Sequence, residues 1–216
     1  MRIQLFVALF FLLSLQSAFA GDRIALPIGN SRYQNATPLR NPENDVILVG
    51  NSLRQAGFKT IIKTNLTLQQ TNIAISEFIA AARRLKNPVL MIYYAGHGVQ
   101  LNGQNYLLPI DVKIGDARTV IQTSVSVSTL LDRLPKRRSA LEIIILDACR
   151  NDPFTQKTRG LSQGLKQIRE QPGRLIAFST APGTTAVDGD SGTSPYASAV
   201  AEAVLIPGIE VRFAFD

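Results

Sequence analysis

Of its 216 residues, only one is cysteine and only one is histidine. A single thiol rules out any internal disulfide, so stability has to come from packing. The same scarcity rules out a zinc site of the usual composition, which needs three or four such ligands. There is no GxxxxGK[ST] phosphate loop, no GxSxG nucleophile elbow and no recognisable calcium loop, so neither metal nor cofactor is expected. Beyond residue 20 no stretch is long and apolar enough to cross a bilayer. The formal net charge of +7 comes from scattered basic residues, clustered only at Arg83-Arg84 and Lys136-Arg137-Arg138. Both clusters fall at expected helix ends, where cations complement the dipole. The charge therefore reads as a solvated surface, and no nucleic-acid partner is expected.

What is present begins with a leader. Arg2 gives a positive start, Leu5–Leu15 is an apolar core, and Ala18-Phe19-Ala20 is a small-x-small cleavage site. Residues 1–20 are thus expected to be a secretory signal peptide, with the mature protein secreted or periplasmic and not stably inserted in a membrane. Residues 21–216 suffice for one domain with a sizeable core.

Along this domain strand and helix patterns alternate. Strands are expected at Arg23–Ile28, Phe58–Thr64, Val89–Ala95, Leu141–Leu146 and Arg174–Ser179. Pro27 is awkward in the first of these, because proline cannot donate to a sheet ladder. Helices are expected from about Asn44 to Gly57, and from a cap at Thr67 through Ile73, Ile75, Phe78, Ile79, Ala82 and Leu85. Two more are expected around Ser128–Leu134 and from Pro195 to about Leu205. A small hairpin is expected across Val99–Leu108, turning at Asn102-Gly103. The alternation calls for an α/β fold, a mostly parallel sheet with helices on both faces. In such sheets ligands sit at the carboxyl ends of the strands.

Both unique residues lie at such ends. His97 follows the run VLMIYYAG, and Cys149 follows LEIIILDA. A thiolate is a nucleophile that needs a neighbouring base, and histidine can take its proton and return it to a leaving amine. The N–H groups of Gly98 and Cys149 are expected to donate to an oxyanion. The joint occurrence favours a cysteine–histidine active site over a core histidine and an inert thiol.

YYAGHG followed by LDACR resembles the caspase-like superfamily of cysteine peptidases, especially its bacterial metacaspase and paracaspase-like branches. Cys149 lies 52 positions after His97 (149 − 97), against about 50 in caspases. The resemblance covers nearly all of the mature chain. It implies a peptidase acting on proteins or peptides, with His97 as general base and acid, Cys149 as nucleophile, and Gly98 in the oxyanion hole. The cysteine context is DACRN, not the QACRG type of aspartate-specific caspases. The resemblance further implies an acidic S1 pocket formed by Asp45 and Asp147, with a third wall from Asp188 or Asp190, selecting arginine or lysine at P1. It also implies a further helix and a last strand beyond the point where this sequence stops. The loop Asn151–Gly173, with Lys157, Arg159, Lys166 and Arg169, is where caspase-type chains are often cut, and self-cleavage is a hypothesis there.

Two other readings compete. Gly189-Asp190-Ser191-Gly192 looks like the nucleophile segment of chymotrypsin-like serine peptidases, but those are β-barrels and this chain alternates helix and strand. The second is a non-catalytic caspase-like module that binds partners. Asn35-Ala36-Thr37 and Asn65-Leu66-Thr67 would be glycosylation sequons only in a eukaryotic secretory pathway.

Overall fold

The computed structural model describes residues 22–136, 141–148, 161–162, 165–168, 171–179 and 192–208. Its centre is a parallel sheet of β1 (Arg23–Gly29), β2 (Lys59–Thr60), β3 (Lys63–Thr64), β4 (Val89–Ala95), β8 (Leu141–Asp147) and β10 (Arg174–Phe178). The order is β10-β8-β4-β1-β2, with β3 also pairing β1. A second, antiparallel sheet is built from β5 (Gly98–Leu101), β6 (Gln104–Leu107), β7 (Val125–Ser126) and β9 (Leu161–Ser162), in the order β7-β6-β5-β9. The helices are α1 (Pro42–Gln55), α2 (Leu68–Arg83), α3 (Ala117–Gln122), α4 (Val127–Arg133) and α5 (Pro195–Ala203). The expected α/β architecture, parallel sheet between helical layers, is the one observed.

Strand alternation sorts the side chains into two cores. Leu90, Ile92 and Tyr94 of β4, with Ile144 and Leu146 of β8, pack against Ile75, Phe78 and Ile79 of α2 and Leu130 of α4. Met91, Tyr93 and Ala95, with Ile143 and Ile145, face the opposite way onto Val46, Val49 and Leu53 of α1 and Ala197 and Val200 of α5. A third, smaller cluster of Tyr33, Val99, Leu101, Tyr106 and Leu108 fills the space beneath the second sheet.

The helix ends follow local chemistry. Pro42 occupies the first turn of α1, where its missing N–H has no intrahelical partner to lose, and Glu43 and Asp45 complement the dipole there. Thr67 and Gln70 form a full capping box on α2. Ile73, counted among the apolar positions of that helix, is exposed; its neighbours Ala74 and Ile75 carry the buried stripe. The hairpin turns at Asn102-Gly103, both with positive φ (50° and 74°), as a type I′ turn requires. The segments α3, β7 and β9 were too short to show a period in the sequence.

Phe58–Thr64 is not the single strand expected. It pairs with β1 in two pieces, Ile24 and Ala25 with β2, Ile28 and Gly29 with β3. Pro27 explains the break. The carbonyls of Ala25 and Gly29 accept from Ile61 and Asn65, on the β2–β3 side, while Asn30 N–H donates to Ala95 of β4. Odd-numbered residues of β1 therefore face β2 and β3, and the missing donor of Pro27 falls in the gap between them. A central proline is tolerated because the neighbouring ladder is interrupted there.

Gly29 closes β1 against the start of α1. A Cβ on Gly29 would strike the Pro42 carbonyl oxygen and come within 2.8 Å of Val46 Cγ2. The carbonyl belongs to the helix backbone and cannot swing aside. Gly29→Ala is expected to destabilise the fold by about 1–3 kcal/mol, read as a lower urea midpoint at unchanged slope; an unchanged midpoint would contradict this packing.

Candidate active site

Gly96 turns the chain out of β4 and delivers His97, which is 3% exposed. Its backbone N–H donates to the Tyr33 hydroxyl at 2.7 Å, and the Tyr33 ring lies 4.5 Å from the imidazole, tilted by 48°. His97 Nε2 is 2.7 Å from the carbonyl oxygen of Thr37. A carbonyl can only accept, so this contact places the proton on Nε2 and, in the neutral ring, leaves the basic lone pair on Nδ1.

Two tyrosines hold this corner. The Tyr94 hydroxyl lies 2.9 Å from both His97 O and Leu108 O, and 3.3 Å from the Tyr33 hydroxyl. Burial, then the proximity of Tyr33, pushes the Tyr94 hydroxyl well above the usual tyrosine range, so it remains a donor. A Cβ on Gly96 would fall 2.7 Å from Tyr33 Oη and 2.8 Å from Tyr94 Oη; only glycine leaves that pair in place. Leu108 N–H donates to His97 O at 3.0 Å. By antiparallel alternation the next pair, Gly98 with Leu107, is a non-hydrogen-bonded one, which turns the Gly98 N–H away from β6. Gly98 also runs close to β8: a Cβ there would meet Ala148 Cβ at 3.0 Å and Ala148 O at 3.1 Å.

On the α1–α5 face, Asp45 and Asp147 are both fully buried. Ser194, the N-cap of α5, joins them. Its N–H donates to Asp45 Oδ1 at 2.7 Å and its hydroxyl to Asp147 Oδ2 at 3.0 Å. The hydroxyl in turn accepts from Ala197 N–H at 3.0 Å. Tyr93 donates to the same Asp147 Oδ2 at 3.1 Å. Burial, followed by the charges of Asp147 and Asp45, raises the Tyr93 hydroxyl well above the usual tyrosine range. Asp147 Oδ1 is buried with no hydrogen-bond partner.

Of the residues expected from the sequence, His97 and Gly98 thus lie together at the carboxyl end of β4, and Asp45 and Asp147 meet through one serine. Cys149, Asp188, Asp190 and Ser191 lie outside the described residues. So do Lys157, Arg159 and Arg169 of the expected cleavage loop; Lys166 is exposed, its backbone gripped in both directions by the Asn105 side chain at 2.6 and 2.7 Å. Asn65 has its side-chain oxygen committed to Ser31 and Arg32 N–H at 2.9 Å each. Among the described residues no three His, Cys, Asp or Glu side chains gather as a metal site.

The sequence reading missed Tyr33, Tyr93, Tyr94, Ser194 and the Thr37 carbonyl. Strand parity in the run of β4 would have separated Tyr93 from Tyr94, and Ser194 before Pro195 is an N-cap signal. Nothing local marks Tyr33 or Thr37, whose contacts with His97 are long-range.

Comparison with known proteins adds to this geometry. Over 131 residues the chain is 31% identical to the human (Homo sapiens) mucosa-associated lymphoid tissue lymphoma translocation protein 1, and equally to its Mus musculus homolog. The match covers 61% of this chain and 15% of each relative's length. The crystal structure of caspase-1 from Spodoptera frugiperda superposes with a TM-score of 0.66 at 17% identity, over 90% of this chain and 74% of that one. That likeness gives the fold: caspase-like. The family profile described as the caspase domain of peptidase C14 matches residues 22–209, and the chain belongs to that family.

Proposed function

We propose that the protein is a cysteine endopeptidase that cuts protein or peptide substrates after arginine or lysine. Cys149 thiolate attacks the scissile carbonyl, His97 takes the thiol proton and returns it to the leaving amine, and the Gly98 and Cys149 N–H groups hold the oxyanion. The observation that carries the reading is the pairing of β4 with β8, which ends at Ala95 opposite Asp147. His97 and Cys149 each stand two residues beyond that last pair, so the strand register and the chemistry share one offset. The Thr37 carbonyl supports the role given to His97, because it leaves Nδ1 as the basic nitrogen.

The preference for a basic P1 residue rests on two buried carboxylates, Asp45 and Asp147, joined through Ser194 on the strand end that leads to Cys149. Asp188 belongs to the same proposal as a third wall. No helix among the described residues is long and apolar enough to cross a membrane. Export by a leader at residues 1–20, to a secreted or periplasmic location, is proposed from the sequence alone, as is a single peptidase domain over 21–216.

Three outcomes are expected. An arginine-ended electrophilic peptide should label Cys149, and Cys149→Ala should abolish turnover, with His97→Ala lowering it on the order of 10²–10⁴-fold; no adduct on well-folded protein would favour a non-catalytic interaction module instead. Matched fluorogenic peptides ending in arginine or lysine should be cut far faster than one ending in aspartate, and the reverse order would refute the acidic pocket. Gly96→Ala should lower kcat about tenfold or more by displacing the Tyr33–Tyr94 pair behind His97, with wild-type turnover as the contrary result.

A further inference from the structure

Among the described residues, the hydrogen bonds to the Asp147 side chain fall on one of its two oxygens. Tyr93 and Ser194 both give their hydroxyl protons to Oδ2, at 3.1 and 3.0 Å. Oδ1 is buried without a hydrogen-bond partner. A carboxylate can accept about four hydrogen bonds, and a buried oxygen with none is costly unless something else meets it. Glu142, at the other end of the same strand, shows the alternative: it is ion-paired to Arg174 within the protein. Among the described residues Asp147 meets only neutral donors, which fix its orientation and form no ion pair.

We propose that Tyr93 and Ser194 are the positioning residues of substrate specificity: by locking Asp147 Oδ2 they present Oδ1 to the basic side chain of the substrate. Ser194 has a second part in this, since its N–H holds Asp45 Oδ1. The helix cap of α5 and the two carboxylates are thus one hydrogen-bonded unit. The inference rests on the basic-P1 reading above and assigns residues that neither the sequence motifs nor the dyad require.

The test compares wild type with Tyr93→Phe, Ser194→Gly and Ser194→Thr on arginine-ended and lysine-ended peptides. Glycine at an N-cap costs only a few tenths of a kcal/mol, so Ser194→Gly removes the hydroxyl, with its bond from Ala197 N–H, at little cost to the helix and keeps the N–H. Tyr93→Phe and Ser194→Gly should each raise KM for the arginine peptide about tenfold with kcat within about twofold, the pattern of lost uniform binding. Ser194→Thr, which keeps the hydroxyl, should restore the wild-type KM. Unchanged KM in both deletion variants, or a fall in kcat with KM constant, would overturn the proposal. A wild-type enzyme with no preference for basic P1 would instead remove the reading beneath it. Melting temperatures of the variants separate a folding loss from a loss of recognition, and a KM rise that merely tracked unfolding would count against the assignment.

Discussion

Parallel pairing between β4 and β8 is the constraint on which the site depends. Seven consecutive pairs, from Val89–Leu141 to Ala95–Asp147, hold the two strands at one register. β4 is apolar along its length, β8 is apolar between Glu142 and Asp147, and both are buried on both faces, so a slip by one residue would send every side chain to the wrong core. Burial thus enforces the register, and the register decides what arrives at the carboxyl ends. The proposed dyad asks only that the two strands end level, as Ala95 and Asp147 do.

The same alternation divides the labour between the two faces. Tyr94 points to the α2 side and braces the turn that carries His97, while Tyr93 points to the α1–α5 side and holds Asp147. Adjacent tyrosines in one strand therefore serve two different parts of the site. Ser194 couples the second part to the N-terminus of α5, and the packing of α5 against α1 brings that cap to Asp45. The proposed catalytic and recognition elements are braced from opposite faces of the sheet and meet at the carboxyl ends of β4 and β8.

Much of this was legible in the sequence, for identifiable reasons. β4 and β8 are long, mainly apolar runs and α1 and α2 carry helical periods, so all four could be read to within a few residues, and with β4 the position of His97. Asp45 and Asp147 came from the family resemblance, and the structure brings them to one serine. What could not be read was whatever depends on contacts distant in sequence. The interruption between Thr60 and Lys63 reflects Pro27 on the neighbouring strand, the proton location on His97 depends on a carbonyl 60 positions away, and Tyr33 reaches Tyr94 across 61. Hydrophobic period reports which face is buried, and it is silent about which polar group a buried atom will meet.

The polar groups buried at this strand end are satisfied mainly by hydroxyls and backbone. Tyr33, Tyr94, Tyr93 and Ser194 supply neutral donors and acceptors in a low-dielectric setting, where such bonds are strong and an unpaired group is expensive. An internal arginine beside Asp147 would have met the same need for solvation, as Arg174 does for Glu142. It would also have tied the carboxylate up in an internal ion pair. Hydroxyls meet Oδ2 without forming an ion pair, which on the proposed reading leaves the carboxylate for a cationic ligand. On the proposed reading, that difference between the two ends of β8 separates an acid that serves the fold from one that serves recognition.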